Sequence, residues 1–280
     1  MDVSGDERSR RKVNLMPDGS PVILVVGGND PVGGAGLCAD IQTLSALGCH
    51  AAPVLTAVTM QTTCGVTGFS PVDADTVKEQ IACVLEDMPV VAIKTGMLAT
   101  GSIASAVGEI AGQLADIPLV VDPVLASNTG NSLSERSLID GIIEYLLPTA
   151  MIITPNLPEL KALSAAIGCA DDGLLAMVGS LKVDCLVTGT HDASTEKVIN
   201  RLIRHSGETS EWAWDRLPGE FHGSGCTLAA SLAAGLAQGA GLETAAEQAQ
   251  AFTWQALNNG LQLGECQLLP NRISSRADRR

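Results

Sequence analysis

The chain has 280 residues, 46% of them hydrophobic and 17% charged, with a net charge of −14 at neutral pH, enough apolar material to bury a large core. An acidic chain with 2% aromatic residues lacks the positive field and stacking rings of a nucleic-acid binder. Any phosphate it holds must be met by local backbone donors and metal. No apolar run reaches membrane-spanning length and the start has no signal-peptide core, so a cytoplasmic protein with neither nucleic acid nor membrane as partner is expected.

The eight cysteines (Cys38, Cys49, Cys64, Cys83, Cys169, Cys185, Cys226, Cys266) form no C-x-x-C pair and are expected to be reduced thiols. Four histidines without i, i+4 spacing argue against zinc. Residues 1–20 are polar and read as a disordered tail, residues 21–265 as a single domain, and residues 266–280, with Arg272, Arg276, Arg279 and Arg280, as a basic tail.

In chain order, the β-branched run at 21–26 is expected to be a strand buried on both faces. It opens into Gly27-Gly28-Asn29-Asp30-Pro31-Val32-Gly33-Gly34-Ala35-Gly36, where glycines let backbone approach a ligand and Asp30 serves either a ligand or its own turn. This loop lacks the Lys-Ser/Thr pair of a P-loop and fits the dinucleotide fingerprint only loosely. A helix follows over 37–47, then a strand at 52–59 with Gln61 beyond its end. That amide can read a heteroaromatic edge or simply sit in a loop. Residues 73–86 form an amphipathic helix. The strand at 90–95 ends in Lys94, which reads as a snorkelling side chain at the sheet border, and in Gly96-Met97-Leu98.

Residues 102–114 are helical, and the strand at 118–125 carries Asp122, placed where open α/β sheets hold ligands. A helix at 135–146 and a strand at 150–154 lead to Asn156 and Glu159, whose local pattern reads first as a capping box, with an oxygen pair for Mg²⁺ as the functional alternative. A helix at 171–181 and a strand at 183–187 end in Thr188 and Gly189. Residues 193–217, with Trp212 and Trp214, are expected to form a short hairpin or flap beside the site. Last comes Phe221-His222-Gly223-Ser224-Gly225-Cys226-Thr227, a glycine turn into an Ala/Leu-rich helix over 226–238, with a further helix over 244–258. The bare amides of such a turn bind an anion. The helix field favours a thiolate at Cys226, eligible as base or nucleophile, although a small packing residue fits there equally. The strand–helix alternation gives an α/β fold with a mostly parallel sheet and helices on both faces. The Gly27 loop, Gln61, Met97, Asp122, Asn156 and Thr188 then all fall at strand ends.

These motifs in this order, from about residue 22 to 260, resemble the hydroxymethylpyrimidine/phosphomethylpyrimidine kinases of thiamine biosynthesis, in the ribokinase-like superfamily. The resemblance implies a three-layer αβα sandwich and ATP-dependent phosphorylation of 4-amino-5-hydroxymethyl-2-methylpyrimidine and then of its monophosphate. It implies that Gln61 bonds the aminopyrimidine while Ala35, Met97, Val124 and Asp30 line its pocket. Cys226 stands where related sugar kinases carry the catalytic aspartate, and Gly223, Ser224 and Gly225 form the anion hole. Asn156, Glu159, Thr188 and Gly189 fall on the nucleotide side, Asp122 and Glu159 on Mg²⁺, and a homodimer is implied by many relatives. Two positions depart from the family: Val32, where many members have Ser, and Thr188, where many have a Lys that reaches ATP phosphate. The rival readings are a pyridoxal kinase on the same scaffold and a non-catalytic pyrimidine sensor, with a dinucleotide-dependent oxidoreductase further off.

Overall fold

A computed structural model of the protein describes residues 19–125, 136–171, 173–190 and 196–273. The tail expected over residues 1–20 lies almost entirely outside them. β1 (Val22–Asn29), α1 (Gly36–Ala46), β2 (His50–Thr62), β3 (Gly65–Pro71), α2 (Ala74–Asp87), β4 (Val90–Thr95), α3 (Gly101–Gly112) and β5 (Leu119–Val121) make the first half. α4 (Arg136–Gly141), running into a π-helical turn at Ile142–Leu146, β6 (Ile152–Ile153), α5 (Leu157–Ala166), α6 (Leu174–Leu181), β7 (Asp184–Val187), β8 (Lys197–Ile203), β9 (Thr209–Asp215), α7 (Ser224–Ala237) and α8 (Leu242–Asn258) make the second.

All nine strands form one sheet in the order β3-β2-β1-β4-β5-β6-β7-β8-β9. The middle, from β2 to β7, is parallel, and β3, β8 and β9 are added antiparallel. β1 shows why a continuous apolar run is needed here. Val22, Leu24 and Val26 enter one core with α2 to α6, while Ile23 and Val25 enter a second with α1, α7 and α8. Side chains alternate across a strand, so a strand covered on both faces must be apolar at every position. The three-layer α/β expectation holds. β1 lies between β2 and β4, and the chain leaves it in both directions along the sheet, which opens a crevice at the carboxyl ends of these strands.

Three expectations change. The second strand does not stop near residue 59 but continues to Thr62, turns at Thr63-Cys64, and returns as β3 with Gln61 opposite Val66. Of the hairpin or flap expected over 193–217, the described part is a hairpin, and it is part of the main sheet. β8 and β9 extend the sheet, held by Trp214 Nε1 donating to Gln250 Oε1 at 3.0 Å and by the Trp214–Trp254 stack. Residues 266–273 are not a tail: Leu269 and Arg272 are buried, and Leu268 is hydrogen-bonded to Glu220 and His222.

Candidate active site

The carboxyl ends of β1, β2 and β4 meet the first turns of α1 and α7. Gly223, with φ +87°, precedes α7, and a side chain there would run into the Gly34 carbonyl. The two glycine loops are therefore packed back to back, which only glycine at Gly223 permits. The first intrahelical bond of α7 is Thr227 N–H to Gly223 O at 3.0 Å, so the amides of Ser224, Gly225 and Cys226 precede the ladder and are available to an anion.

The Cys226 sulfur is close enough to the Gly36 amide of α1 and to the Lys94, Asp122 and Asp40 charges for all of them to act on its ionisation. The expected thiolate is overturned. Burial pushes the thiol up to about 12, the nearby Lys94 charge pulls it down by less, and Asp122 and Asp40 raise it. Desolvation outweighs the helix field. The group is a thiol, and its S–H can face the Asp122 carboxylate.

Lys94 is the largest surprise. It is fully buried, with its Nζ 2.9 Å from Asp40 of α1. Burial alone would lower its pKa, but Asp40, Cys226 and Asp122 raise it, so the ammonium is retained. It does not snorkel. A side chain at Gly96 would stand 2.9 Å from this ammonium, which explains a glycine directly after β4.

On the β2 side, one line of contacts joins Gln61 to the glycine loops. His222 Nε2 lies 2.9 Å from Gln61 Nε2 and 2.9 Å from Asp30 Oδ2. Asp30 is 2% exposed and accepts from the amides of Val32 (3.0 Å), Gly34 (2.8 Å) and Ala35 (2.7 Å). Burial works to raise its pKa, yet His222 and these amides together hold it below the ordinary value. Asp30 thus ties its own loop, the turn role considered from sequence. Ala35, Met97 and Val124 are each half-buried, and Thr56 Oγ1 donates to the Met97 carbonyl at 2.6 Å.

Arg272 was missed among the terminal cations. At 2% exposure it donates to Thr227 Oγ1 (2.9 Å), Gln42 Oε1 (3.1 Å) and the carbonyls of Gly34 and Gly223. One guanidinium clamps both glycine loops from behind. The segment carrying it is fastened by a Cys64–Cys266 disulfide, 202 residues apart in sequence. The expectation of eight free thiols therefore fails at this pair. Cys266 reaches Cys64 because the hairpin tip and the C-terminal segment run side by side, with Gln267 N–H donating to Thr63 O at 3.3 Å.

On the other side of Cys226, Asp122 is close enough to Glu159 to raise that residue's cost of ionisation. Burial pushes Asp122 up to about 6, and Lys94 partly offsets it. Burial, then Asp122, pushes Glu159 up to about 8. Asn156 and Glu159 form the capping box of α5: Asn156 Oδ1 accepts from Glu159 N at 2.9 Å and Glu159 Oε2 from Asn156 N at 2.9 Å. Asp122 Oδ2 and Thr154 Oγ1 are buried without a hydrogen-bond partner. Two neighbouring carboxyls and two orphaned oxygens are the donor set a hard divalent cation takes, and both Asp122 and Glu159 fit Mg²⁺ on that ground. Among the described residues no group of three His, Cys, Asp or Glu side chains converges, so water and phosphate oxygens would complete the shell.

Thr188 lies beside Asn156 in a parallel bridge, and Gly189 N–H donates to Asn200 Oδ1 at 3.0 Å. A cavity lined by Ile143, Leu147, Ile167 and Lys182 among others lies elsewhere, beside the π-helical turn, and its lining includes none of these groups. No helix among the described residues is long and apolar enough to cross a membrane.

A doubly wound sheet with an anion-receiving glycine turn, a thiol and a carboxylate pair at its carboxyl edge defines a ribokinase-like phosphotransferase. Residues 30–271 match the phosphomethylpyrimidine kinase family. A hydroxymethylpyrimidine/phosphomethylpyrimidine kinase of Streptomyces coelicolor is 36% identical over 252 residues, covering 87% of this chain and 91% of that one. Bacillus subtilis pyridoxal kinase in an ADP complex superposes with a TM-score of 0.81 at 26% identity, covering 92% of this chain and 100% of the other. A phosphomethylpyrimidine kinase of Clostridium difficile gives 0.69 at 30% identity, covering 84% and 97%. The chain belongs to the phosphomethylpyrimidine kinase family.

Proposed function

We propose that this edge of the sheet transfers the γ-phosphoryl group of ATP to the primary hydroxyl of 4-amino-5-hydroxymethyl-2-methylpyrimidine, and then to the resulting monophosphate, as thiamine biosynthesis requires. The observation that carries the reading is the continuous path from Gln61 through His222 to the Cys226 turn. It supports the reading because a group able to read a heteroaromatic ring contacts His222, the residue that opens the turn into the Cys226 thiol and the anion-receiving helix end. Gln61 holds the ring, with Ala35, Met97 and Val124 around it. Cys226, a thiol in the resting protein, accepts the acceptor hydroxyl's hydrogen bond and directs its oxygen at the phosphorus. As the new oxygen–phosphorus bond forms and the bond to the ADP oxygen breaks, the hydroxyl proton passes to an oxygen of the transferred phosphate. The Ser224, Gly225 and Cys226 amides receive the equatorial oxygens of the transferring group. Asp122 and Glu159 would hold Mg²⁺, which when bound neutralises charge on the nucleotide phosphates. Thr188 and Gly189 border the nucleotide, with no lysine ammonium at position 188.

Product analysis by mass spectrometry, with ATP and either hydroxymethylpyrimidine or pyridoxal as acceptor, tests this. Successive gains of one and two phosphates on the pyrimidine support it. Turnover of pyridoxal alone transfers the assignment to the pyridoxal kinase reading, which the superposed B. subtilis enzyme favours. ATP-independent binding of the pyrimidine without product would indicate a sensor.

A further inference from the structure

His222 contacts two groups through a single ring nitrogen. Asp30 Oδ2 and Gln61 Nε2 both lie 2.9 Å from Nε2. Asp30 is buried, accepts three backbone amides, and is held ionised. An ionised carboxylate can only accept, so His222 Nε2 must carry a proton, whether the ring is neutral or charged. An amide NH₂ facing that N–H would set donor against donor. The oxygen and nitrogen of a glutamine amide exchange places by a half-turn about the last side-chain bond. With the oxygen toward His222, both contacts are satisfied and one N–H is shared between Asp30 and Gln61.

The ring has little freedom to resolve the conflict otherwise. The His222 backbone N–H donates to Leu268 O at 2.9 Å, and the imidazole packs so closely on Gly34 that a side chain there would overlap it. The other end of the Gln61 amide makes no hydrogen bond among the described residues, and the residue is only half-buried.

We propose that His222 is a positioning residue that fixes the polarity of Gln61, so that Gln61 presents its NH₂ to the bound ring and selects substrates offering a hydrogen-bond acceptor there. This rests on the reading of Gln61 as the ring contact and sharpens it. The acceptor class is a ring nitrogen or a ring-bound oxygen anion, and a ring with only C–H at that position is rejected. The selection comes from leaving the amide donor unpaired against the wrong ring.

Two experiments test it. Neutron diffraction from deuterated crystals of the ligand-free protein is expected to show deuterium on His222 Nε2 and the Gln61 carbonyl turned toward it. A Gln61 ND₂ group facing His222, or an undeuterated Nε2, overturns the proposal without any variant having to fold. The second compares hydroxymethylpyrimidine with the two pyridine analogues in which one or the other ring nitrogen is C–H. One of the two should lose at least tenfold in kcat/KM with the native protein, mostly through KM. In His222→Phe that discrimination should shrink to within about threefold, with KM rising more than kcat falls. Retained tenfold discrimination in a folded His222→Phe protein overturns it. If no pyrimidine is phosphorylated by the native protein, the kinase reading fails, and the neutron result alone decides the polarity.

Discussion

The two flanks of Cys226 are built on opposite principles. On the β2 side the charged groups are met by protein partners: Asp30 accepts three amides and faces His222, Arg272 donates to four acceptors, and Lys94 meets Asp40. On the β5 side Asp122 Oδ2 and Thr154 Oγ1 have none, and Asp122 and Glu159 are both driven toward the protonated form. The first flank is finished by the chain, which suits a neutral ring that brings little charge. The second is finished by whatever binds, which suits Mg²⁺ and a highly charged nucleotide. Groups left unsatisfied in a folded protein cost stability, and a carboxylate pair pushed toward its neutral form beside an unpaired hydroxyl is where a cationic ligand would gain most.

The largest expected effect lies at the boundary. Cys226→Ala should reduce kcat for pyrimidine phosphorylation by about 10²-fold with little change in KM or melting temperature, because it removes only the group that directs the hydroxyl. Undiminished turnover would take the sulfur out of the reaction and leave the contrast between flanks without a shared centre.

Next is Lys94→Met, which strands the fully buried Asp40 carboxylate beneath the finished flank. Breaking a buried pair from one side costs about 3–5 kcal/mol, to be read from urea unfolding. The double variant Lys94→Met/Asp40→Leu should recover most of that loss if the pair is structural. Recovery of stability without recovery of kcat would show that the ammonium also sets the charge around Cys226 and Asp122.

The Cys64–Cys266 bond fastens the segment that carries Arg272 and touches the His222 backbone. Cys64→Ser should lower stability by roughly 2–4 kcal/mol, and the native protein should show the same loss on treatment with dithiothreitol while the variant shows none. The loss should fall on the ring-binding flank, seen as a higher KM for the pyrimidine with KM for ATP nearly unchanged. An equal rise in both would mean that the disulfide supports the domain as a whole.

Much of this frame was legible in the amino-acid order because it follows from periodicity and turn chemistry. An unbroken apolar run means a strand covered on both faces, as β1 proved, and an Asn three residues before a Glu at a helix start means a capping box, as Asn156 and Glu159 proved. Lys94 was misread because a lysine at a strand end looks the same whether its ammonium reaches water or meets Asp40, 54 residues earlier. Arg272 looked like one more terminal cation until the fold brought four acceptors around it. The disulfide depends on the hairpin register and on a return of the chain, neither of which leaves a local mark in sequence. The thiolate expected at Cys226 failed for a related reason: the helix field is a local property, whereas desolvation is set by all that packs around the sulfur. The β8–β9 hairpin hid its role because sheet-extending and flap-forming hairpins share one composition.

The smallest effect tests the unfinished flank directly. Asp122 and Glu159 have folded pKa values of about 6 and about 8, above their ordinary 3.8 and 4.5. Between those limits the folded chain binds protons that the unfolded chain has released, so stability declines as pH rises through the window. Asp30, held below 3.8, acts oppositely and only at the acid extreme, where its contribution is lost as pH falls through its depressed value. The metal-free protein should therefore melt roughly 3 °C or more lower at pH 8.5 than at pH 5.5, and Glu159→Gln should flatten that slope. Added Mg²⁺ should raise the melting temperature more at pH 8.5 than at pH 5.5, since it replaces protons on the same oxygens. A slope that is absent, or that Mg²⁺ leaves unchanged, would mean that these carboxyls are not the cation's ligands and that the unsatisfied oxygens answer to water instead.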